Sequence, residues 1–293
     1  MTSVAIIVIA YKSRVPLTRF LESLTGGFDV LVVNNSAELD DLLDLETTYD
    51  GVQILDAGGN VGFSAGANKG AAASTAEVLI FMNPDTLPTS EAIGSLVGTV
   101  SATGGASVAG PTGIKTAGGG AQPTIGRVAA HVVGLHKVLP LSGLYFYPRN
   151  GERVEAGWIS GSCCAIRREA FEAVGGFNDS YFVFMSDFEL GLRLADAGYR
   201  QLVLGDVVVR HFDGGSSDLP AEWTWDQRGR GWAQFLVRTQ EPMSARAMRF
   251  LLVAGFSVRR VVYTLLQRSV KAQEQAVMVA AIRDEWPRVK VEG

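Results

Sequence analysis

The chain has 293 residues, of which 47% are hydrophobic and 19% are charged, and its formal net charge is −4. This composition is typical of a globular protein with enough apolar material for one large α/β domain or two smaller ones. The negative charge argues against nucleic acid as the main partner, because phosphate backbones are bound by basic surfaces.

The chain has two cysteines, Cys163 and Cys164, which lie side by side in an apolar run. Adjacent cysteines cannot join distant parts of a fold, and they lack the spacing of a zinc site. We expect both to pack in the core of a protein from a reducing compartment. Since no stretch reaches the roughly 18 apolar residues of a membrane span, the sequence predicts a cytoplasmic location.

Strand and helix patterns alternate along the first hundred residues. Pro16 opens a helical pattern, as proline often does in a first turn, with Leu17, Phe20 and Leu21 on one face. Continuous apolar runs, typical of parallel strands buried on both faces, occupy residues 4–11, 29–36, 52–58 and 77–82. This alternation predicts an α/β protein with a mostly parallel sheet covered by helices.

The later sequence predicts shorter elements. A Gly-rich stretch at 104–126 indicates a strand at 107–110 and then a mobile loop, which in a compact domain is often functional. Helices near 131–139, 167–174 and 186–197, and a strand pair or one bent strand at 201–212, are predicted next. From Glu222 to the end the pattern is helical.

Polar side chains stand where the first four predicted strands end. They are Tyr11, Asn34, Asp56 and Asp85. Ligands of parallel sheets bind beyond the carboxyl ends of the strands, so we expect these groups to line one site. A turn is the alternative explanation for Asp85, because asparagine and proline precede it and both are turn formers.

Asp187 and Glu189 begin a predicted helix, where the helix dipole favours carboxylates. Arg193 lies one turn after Glu189, so a surface ion pair is a sufficient explanation for that residue. Asp187 has no such local partner and follows four apolar or aromatic residues. We expect it in the wall of a pocket, where a general base is useful. His211 ends a predicted strand and is either structural or a metal ligand.

The glycine-rich segment 58–70 could cradle phosphates or pack a helix closely against the sheet. It does not match the phosphate loop. It also departs from the dinucleotide fingerprint, which follows the first strand of a sheet rather than the third. Both interpretations stay open.

Seven segments, taken in order, resemble the family-two glycosyltransferases with the GT-A fold, and within them the bacterial rhamnosyltransferase-like branch. The similarity covers roughly residues 4–217. The segments are VAIIVIAY, VLVVNNS, NVGFSAGANKG, FMNPDT, WISGSCCAIRREAFEAVGGFND, SDFELGLRLADAGYR and VVRHFDGGSS.

The resemblance implies a GT-A catalytic domain over 1–220, with a nucleotide-sugar-binding half at 1–105 and an acceptor half at 106–220. Residues 221–293 would form a helical extension. The implied activity is an inverting, metal-dependent transfer of a sugar from a nucleotide diphosphate to a hydroxyl of a cell-wall or surface polysaccharide acceptor, which is often lipid-linked. Rhamnose from a thymidine diphosphate donor is the transfer that the resemblance favours.

The same resemblance implies a role for individual positions. Asp85 and His211 would hold Mn²⁺ or Mg²⁺, and Asp187 would be the catalytic base. The donor side would comprise Tyr11, Asn34, Asp56, Asn60, Gly62, Asn68, Lys69 and Asn83, and the acceptor wall Trp158, Ser160 and Gly161. A divalent cation suits a diphosphate leaving group, because it neutralises the charge that develops there.

Two positions depart from the family pattern. Asn34 stands where an aspartate is usual, and an amide donates as well as accepts, so the preference for a nucleotide base stays open. Ser186 stands where a glutamate usually precedes the catalytic aspartate, so Glu189 could share or take the role of base. These departures leave room for a non-catalytic nucleotide-sugar-binding protein. A Rossmann-type oxidoreductase is disfavoured, because no glycine fingerprint follows the first strand.

The segment 242–273 lacks acidic residues but is rich in basic and apolar ones. Its basic residues are Arg246, Arg249, Arg259, Arg260, Arg268 and Lys271. A basic amphipathic helix suits an anionic membrane surface, which predicts peripheral contact with the inner face of the cell membrane through residues 243–271. Packing on the catalytic domain, or on a second subunit in a homodimer, is the alternative.

Overall fold

The computed structural model describes residues 2–25, 27–36, 40–113, 118–135, 144–212 and 219–292. The strands are β1 (Val4–Ala10), β2 (Asp29–Asn34), β3 (Val52–Asp56), β4 (Val78–Met82), β5 (Thr86–Leu87), β6 (Val108–Gly113), β7 (Gly119–Gly120), β8 (Arg153–Glu155), β9 (Trp158–Ile159), β10 (Cys163–Arg167) and β11 (Gln201–His211). The helices are α1 (Arg14–Ser23), α2 (Asp40–Thr48), α3 (Gly62–Ala72), α4 (Ser90–Ser101), α5 (Ile125–Val133), α6 (Arg168–Ala173), α7 (Ser186–Asp196), α8 (Ala221–Thr239), α9 (Pro242–Leu265) and α10 (Ser269–Glu292).

A central sheet has the strand order β3-β2-β1-β4-β10-β6-β11-β5, and β8 pairs with β11. The first four of these strands are mutually parallel. Strand β10 runs antiparallel between β4 and β6, whereas β6 and β11 are parallel. This mixed, mostly parallel sheet confirms the predicted α/β class.

Helices cover both faces of the sheet, because the side chains of each strand alternate between two hydrophobic clusters. In β1, Ile6 and Val8 join a cluster that contains Phe20 of α1 and Leu96 of α4. Ile7 joins the other cluster, which includes residues of α3, α6 and α7. Both cysteines are buried in β10, as expected for core packing.

Several elements differ from the sequence predictions. Helices α2 and α4 were not predicted; in α4 the glycines at 94 and 98 weaken an apolar pattern that nevertheless buries Ile93 and Leu96. The predicted loop at 104–126 is partly wrong, since β6 continues to Gly113 and β7 pairs with β9. Residues 114–117 lie outside the described part. Strand β11 is one strand with an irregularity between Leu204 and Val208.

Contacts divide the chain into two compact units. Unit 1 comprises Met1–Gly120, Tyr145–Phe182 and Ser186–Asp218, and it contains the central sheet. Unit 2 comprises Ala121–Leu144, Val183–Met185 and Leu219–Gly293, and it contains α5, α8, α9 and α10. The segment 121–144, which the sequence placed in the acceptor half, therefore clusters with the C-terminal helices. All predicted metal, donor, base and acceptor residues fall in unit 1.

Ion pairs and close helix contacts hold unit 2 together. Arg230 of α8 contacts Asp226 at 2.6 Å and Glu285 of α10 at 2.8 Å. Gly255 of α9 lies so close to Val132 of α5 that a Cβ would come within 2.5 Å of the valine Cβ. Among the residues that the structure describes, no helix combines the length and the hydropathy needed to cross a bilayer.

The glycine-rich helix α3 packs closely on the sheet. A Cβ at Gly70 would lie 2.4 Å from Ile7 Cγ2 and 3.0 Å from Val33 Cγ2, both in the core. We expect Gly70→Ala to lower the free energy of unfolding by about 1–3 kcal/mol, the usual cost of overpacking.

The control for this prediction is Gly94→Ala, since Gly94 is exposed on α4 with open space around it. Alanine there should stabilise the protein by up to about 1 kcal/mol through helix propensity. Urea denaturation of both variants measures the two effects. A Gly70 variant as stable as the wild type would contradict the close packing.

Candidate active site

Topology collects the predicted site residues at one edge of the sheet. Strands β1 to β4 are parallel, so their carboxyl ends lie together, and Asn34 and Asp56 are direct partners in the register. Strand β10 is antiparallel to β4 and begins at this edge, where Cys163 pairs with Met82. Strand β11 has the direction of β4 and ends there at His211. Non-local pairing thus unites residues that are far apart in sequence.

Backbone contacts set Asp85 beside His211. Strands β5 and β11 pair with Thr86 opposite His211, and the Phe212 N–H donates to the Asp85 carbonyl at 3.0 Å. His211 Nε2 consequently lies 3.2 Å from Asp85 Oδ1 and 3.4 Å from Asn83 Nδ2. The two predicted metal ligands and the neighbouring asparagine are therefore grouped.

The surroundings of Asp85 fit a cation. Its side chain is 1% exposed, and among the described residues neither carboxylate oxygen has a hydrogen-bond donor in good geometry, although His211 is near enough for an ion pair. A buried carboxylate without such donors is costly unless a positive charge compensates it. Oxygen and imidazole donors suit Mg²⁺ or Mn²⁺.

The protein supplies few donors for such an ion. The described ranges contain no group of three or more His, Cys, Asp and Glu side chains that could hold a metal. Mg²⁺ is commonly bound by one or two carboxylates together with waters and substrate phosphates. The pair at Asp85 and His211 fits that mode rather than a site made entirely of protein ligands.

Asp187 lies in the first turn of α7 and is half-buried. Its Oδ1 accepts a hydrogen bond from the Phe188 N–H at 3.0 Å, and its Oδ2 accepts a longer one from the Gly161 N–H at 3.4 Å. Burial raises the pKa of Asp187 to about 6, although these N–H donors favour the ionised form. Such a carboxylate is ionised at neutral pH and still binds a proton readily, as a general base requires.

A short chain of contacts joins Asp187 to the Asp85 group. Gly161, which donates to Asp187, is followed by Ser162. The Ser162 carbonyl accepts a hydrogen bond from the Asn83 N–H at 3.0 Å. The segment before β10 therefore links both acids at the same sheet edge.

The raised pKa of Asp187 predicts how stability depends on pH. Its pKa is about 6 in the folded chain, against an ordinary value of 3.8, so the folded state binds this proton more tightly. The resulting stabilisation is complete below about pH 4 and is lost as the pH rises through about 6. We expect Asp187→Asn to melt at a higher temperature than wild type at pH 7.5, with a difference that shrinks towards pH 4. Thermal melts across this range test it, and a constant difference would contradict it.

Glu189 is occupied by an ion pair. Its Oε1 and Oε2 accept hydrogen bonds from Arg193 Nε at 2.8 Å and Nη2 at 2.7 Å. Arg193 also donates to the carbonyls of Val174 and Gly176. The pair that the sequence placed on the surface is thus largely buried, with the Glu189 side chain 8% exposed. This arrangement favours a structural role for Glu189 over a share in proton transfer.

The ends of β1 to β3 differ in exposure. Tyr11 is half-buried and Asp56 is exposed, whereas Asn34 is completely buried. Asn34 Oδ1 accepts a hydrogen bond from the Ser36 N–H at 2.9 Å, which shapes the turn after β2. The Asn34 side chain has no exposed surface in this structure, and its contact with a nucleotide stays a prediction. Asp56 and Tyr11 retain accessible surface for one.

Within the predicted diphosphate segment, the side chains divide in a similar way. Asn60 and Lys69 are exposed, and Lys69 Nζ donates to the Ala57 carbonyl at 2.6 Å. Asn68 instead bridges to Phe177, donating to its carbonyl at 2.8 Å and accepting from its N–H at 2.9 Å. This use of the amide favours a structural role for Asn68.

Gly62 begins α3 in a conformation that only glycine adopts easily. Its φ is +83°, and a Cβ would lie 2.4 Å from the Phe182 carbonyl oxygen. Its own carbonyl accepts a hydrogen bond from Asn35 Nδ2 at 2.9 Å. Asn35 was not singled out from the sequence; its buried Oδ1 has no hydrogen-bond donor in the described part of the chain. Gly62 therefore serves close backbone packing at this sheet edge.

The predicted acceptor wall contains a buried aromatic stack. Trp158 is 3% exposed and stacks on Phe188 with ring centres 3.9 Å apart, and Tyr145 meets its ring edge-on. Trp158 therefore supports the residue next to Asp187, and its contact with an acceptor stays a prediction. Ser160 is half-buried and shares a hydrogen bond with Ser162 at 2.9 Å. Phe188 and Tyr145 were not singled out, since an aromatic residue alone does not reveal such a stack.

A separate cavity of about 570 Å³ lies elsewhere in unit 1. It is lined by parts of α4, β8 and β11, including Arg153, Arg200 and Asp206. None of the predicted site residues lines it. This cavity is therefore separate from the candidate active site.

Comparisons with known proteins identify the family of the chain. The family model Glycosyl transferase family 2 matches residues 5–175. An N-acetylglucosaminyl-diphospho-decaprenol L-rhamnosyltransferase of Mycobacterium tuberculosis is 30% identical over 234 residues, covering 70% of this chain and 75% of the relative. The low-salt glycan biosynthesis hexosyltransferase Agl10 of Haloferax volcanii is 27% identical over 195 residues, covering 64% of this chain and 60% of the relative.

A solved structure extends the agreement to the fold. The mannosyltransferase PcManGT from Pyrobaculum calidifontis, in complex with GDP-Man and Mn²⁺, superposes with a TM-score of 0.62 at 14% sequence identity. The match covers 97% of this chain and 87% of the other. At this identity the likeness shows the fold alone. The family match removes the oxidoreductase alternative, and the chain belongs to glycosyl transferase family 2 and is a glycosyltransferase.

Proposed function

We propose that the protein transfers a sugar from a nucleotide diphosphate to a hydroxyl group, with inversion and with the help of a divalent cation. One observation carries the proposal: Asp85, a buried carboxylate with no well-aligned hydrogen-bond donor in the described part of the chain, shares a sheet edge with Asp187, a carboxylate of raised pKa. The first suits a cation and the second suits a general base. A protein that only binds nucleotide sugars would not need the second.

Asp85 and His211 would hold Mn²⁺ or Mg²⁺, with Asn83 beside them. The cation would neutralise charge on the diphosphate as that group leaves. The two residues are fixed by the pairing of β5 with β11. This backbone anchoring keeps the ligands in place before a donor binds, which lowers the cost of ordering them.

Asp187 would remove the proton from the acceptor hydroxyl. The acceptor oxygen forms a bond to the anomeric carbon while the bond from that carbon to the diphosphate oxygen breaks, and the diphosphate leaves with the electron pair. The proton ends on Asp187. Attack from the side opposite the leaving group inverts the anomeric configuration. Gly161 and Phe188 N–H groups hold the carboxylate in one orientation, and we assign the base to Asp187 rather than Glu189.

The donor would lie along the ends of β1 to β3. Tyr11, Asp56, Asn60 and Lys69 offer accessible polar or aromatic groups there. The relative from Mycobacterium tuberculosis is named as an L-rhamnosyltransferase that acts on a diphospho-decaprenol-linked N-acetylglucosamine. By that similarity we propose rhamnose from a thymidine diphosphate donor and a lipid-linked saccharide acceptor.

A transfer assay tests the function. The full chain is incubated with a panel of nucleotide diphosphate sugars and a lipid-linked or short-chain saccharide acceptor, with Mn²⁺, Mg²⁺ or EDTA. We expect a glycosylated product with inverted anomeric configuration that forms only with a divalent cation. Full activity in EDTA would refute the metal role, and nucleotide binding without transfer to any acceptor would favour the non-catalytic alternative.

A further inference from the structure

Helix α9 carries apolar residues on two opposite faces. One face is buried, and its buried residues are Ala245, Met248, Leu252 and Phe256. The other is exposed, and large apolar side chains follow it along the helix. Isolated apolar residues on a surface are ordinary, but a continuous exposed row marks an interaction site.

We define the α9 stripe as Met243, Phe250, Val258, Val261 and Leu265. At 3.6 residues per turn these positions fall within about 80° of one another around the helix. Met243 is 82% exposed, Phe250 71% and Leu265 77%. The stripe thus runs along one side of the helix and faces away from the core of its own unit.

Basic residues flank the stripe. Arg246 and Arg260 are exposed on α9, and Arg268 and Lys271 are exposed just after it. The sequence from 242 to 273 contains no acidic residue. An exposed apolar row beside exposed basic residues is the pattern of helices that lie in the plane of an anionic bilayer.

We propose that the α9 stripe docks on an anionic membrane surface, with its apolar side chains at the boundary of headgroups and acyl chains. A second copy of the chain fits this surface less well. A twofold contact sets the same patch against itself, which would bring the arginines of both copies together without acidic partners. The inference goes beyond sugar transfer and is tested without donor or acceptor.

Vesicle flotation of the full chain tests the proposal. We expect binding to vesicles of phosphatidylcholine with 30% phosphatidylglycerol, at least tenfold weaker binding to phosphatidylcholine alone, and weakening with salt. The variant Met243→Ser/Phe250→Ser/Leu265→Ser should bind at least about tenfold more weakly because its apolar contact is lost. Val15→Ser, an exposed apolar change on α1, is the control and should bind like the wild type.

A second variant tests the charges independently of the apolar row. Arg246→Gln/Arg260→Gln/Arg268→Gln should weaken binding to anionic vesicles on the order of 100-fold, at about fivefold per charge. Arg19→Gln/Arg149→Gln/Arg283→Gln removes the same charge from other exposed positions and should change binding far less. A wild-type chain that stays with the soluble fraction, or serine and glutamine variants that float as it does, would overturn the proposal. So would a wild-type dimer in light scattering that the serine variant converts to monomer.

Discussion

Replacing Asp187 by asparagine is expected to lower kcat by about 10²–10⁴, the usual contribution of a general base. The amide keeps the shape of the side chain and can still accept a hydrogen bond at the position that Phe188 N–H contacts. It cannot take the proton of the acceptor hydroxyl. Because the donor would lie at the ends of other strands, its dissociation constant should stay within about twofold of wild type, the pattern expected when only transition-state stabilisation is lost.

Initial rates at saturating donor and acceptor measure this effect, and calorimetric titration of the nucleotide diphosphate measures donor binding. The wild-type kcat should fall as the pH drops below about 6, where Asp187 takes up a proton, and this fall should disappear in the asparagine variant. Asp196→Asn is the matched control, because Asp196 is exposed at the end of the same helix. A variant that turns over normally would remove Asp187 from the mechanism.

Much of the fold could be predicted because a buried parallel strand leaves a strong pattern. A strand covered on both faces needs an unbroken apolar run, and β1, β2 and β4 have one. Helix α4 was missed because its glycines interrupt the apolar period. Strand β7 was also missed, since a two-residue strand depends on a partner far away in the chain.

The candidate site could be predicted less completely. Its place after a strand indicated Asp85, and its place at a helix start after an apolar run indicated Asp187, but only the resemblance linked Asp85 with His211. Their proximity depends on the pairing of β5 with β11, for which a two-residue strand gives no local signal. The sequence also did not reveal which of the candidate side chains are buried. Asn34 and Trp158 have residue types that often contact ligands, but inside the protein Asn34 stabilises a turn and Trp158 stacks on an aromatic ring.

A second large effect is expected of Asp85→Asn. Without a metal, the variant should be at least as stable as the wild type, because no donor in good geometry compensates this buried carboxylate among the described residues, and His211, at 3.2 Å, offsets its charge only when protonated. With Mn²⁺ and a nucleoside diphosphate the order should reverse. A ligand at 100 times its dissociation constant stabilises the folded wild type by about 2.7 kcal/mol, and the variant should lose nearly all of this gain.

The reversal distinguishes a metal site from a structural turn. If Asp85 only shaped the turn after β4, asparagine would serve as well, and metal would change neither protein's melting temperature. If it binds the cation, the affinity for metal and nucleotide together should drop at least about 100-fold, the upper end of the loss seen when only a supporting residue is removed. Thermal melts with Mn²⁺, with EDTA and with nucleotide alone separate these outcomes. The control is Asp206→Asn, because Asp206 is an exposed acid on β11. This variant should respond to metal as the wild type does. An equal loss of metal stabilisation in both variants would mean that net charge rather than coordination is responsible.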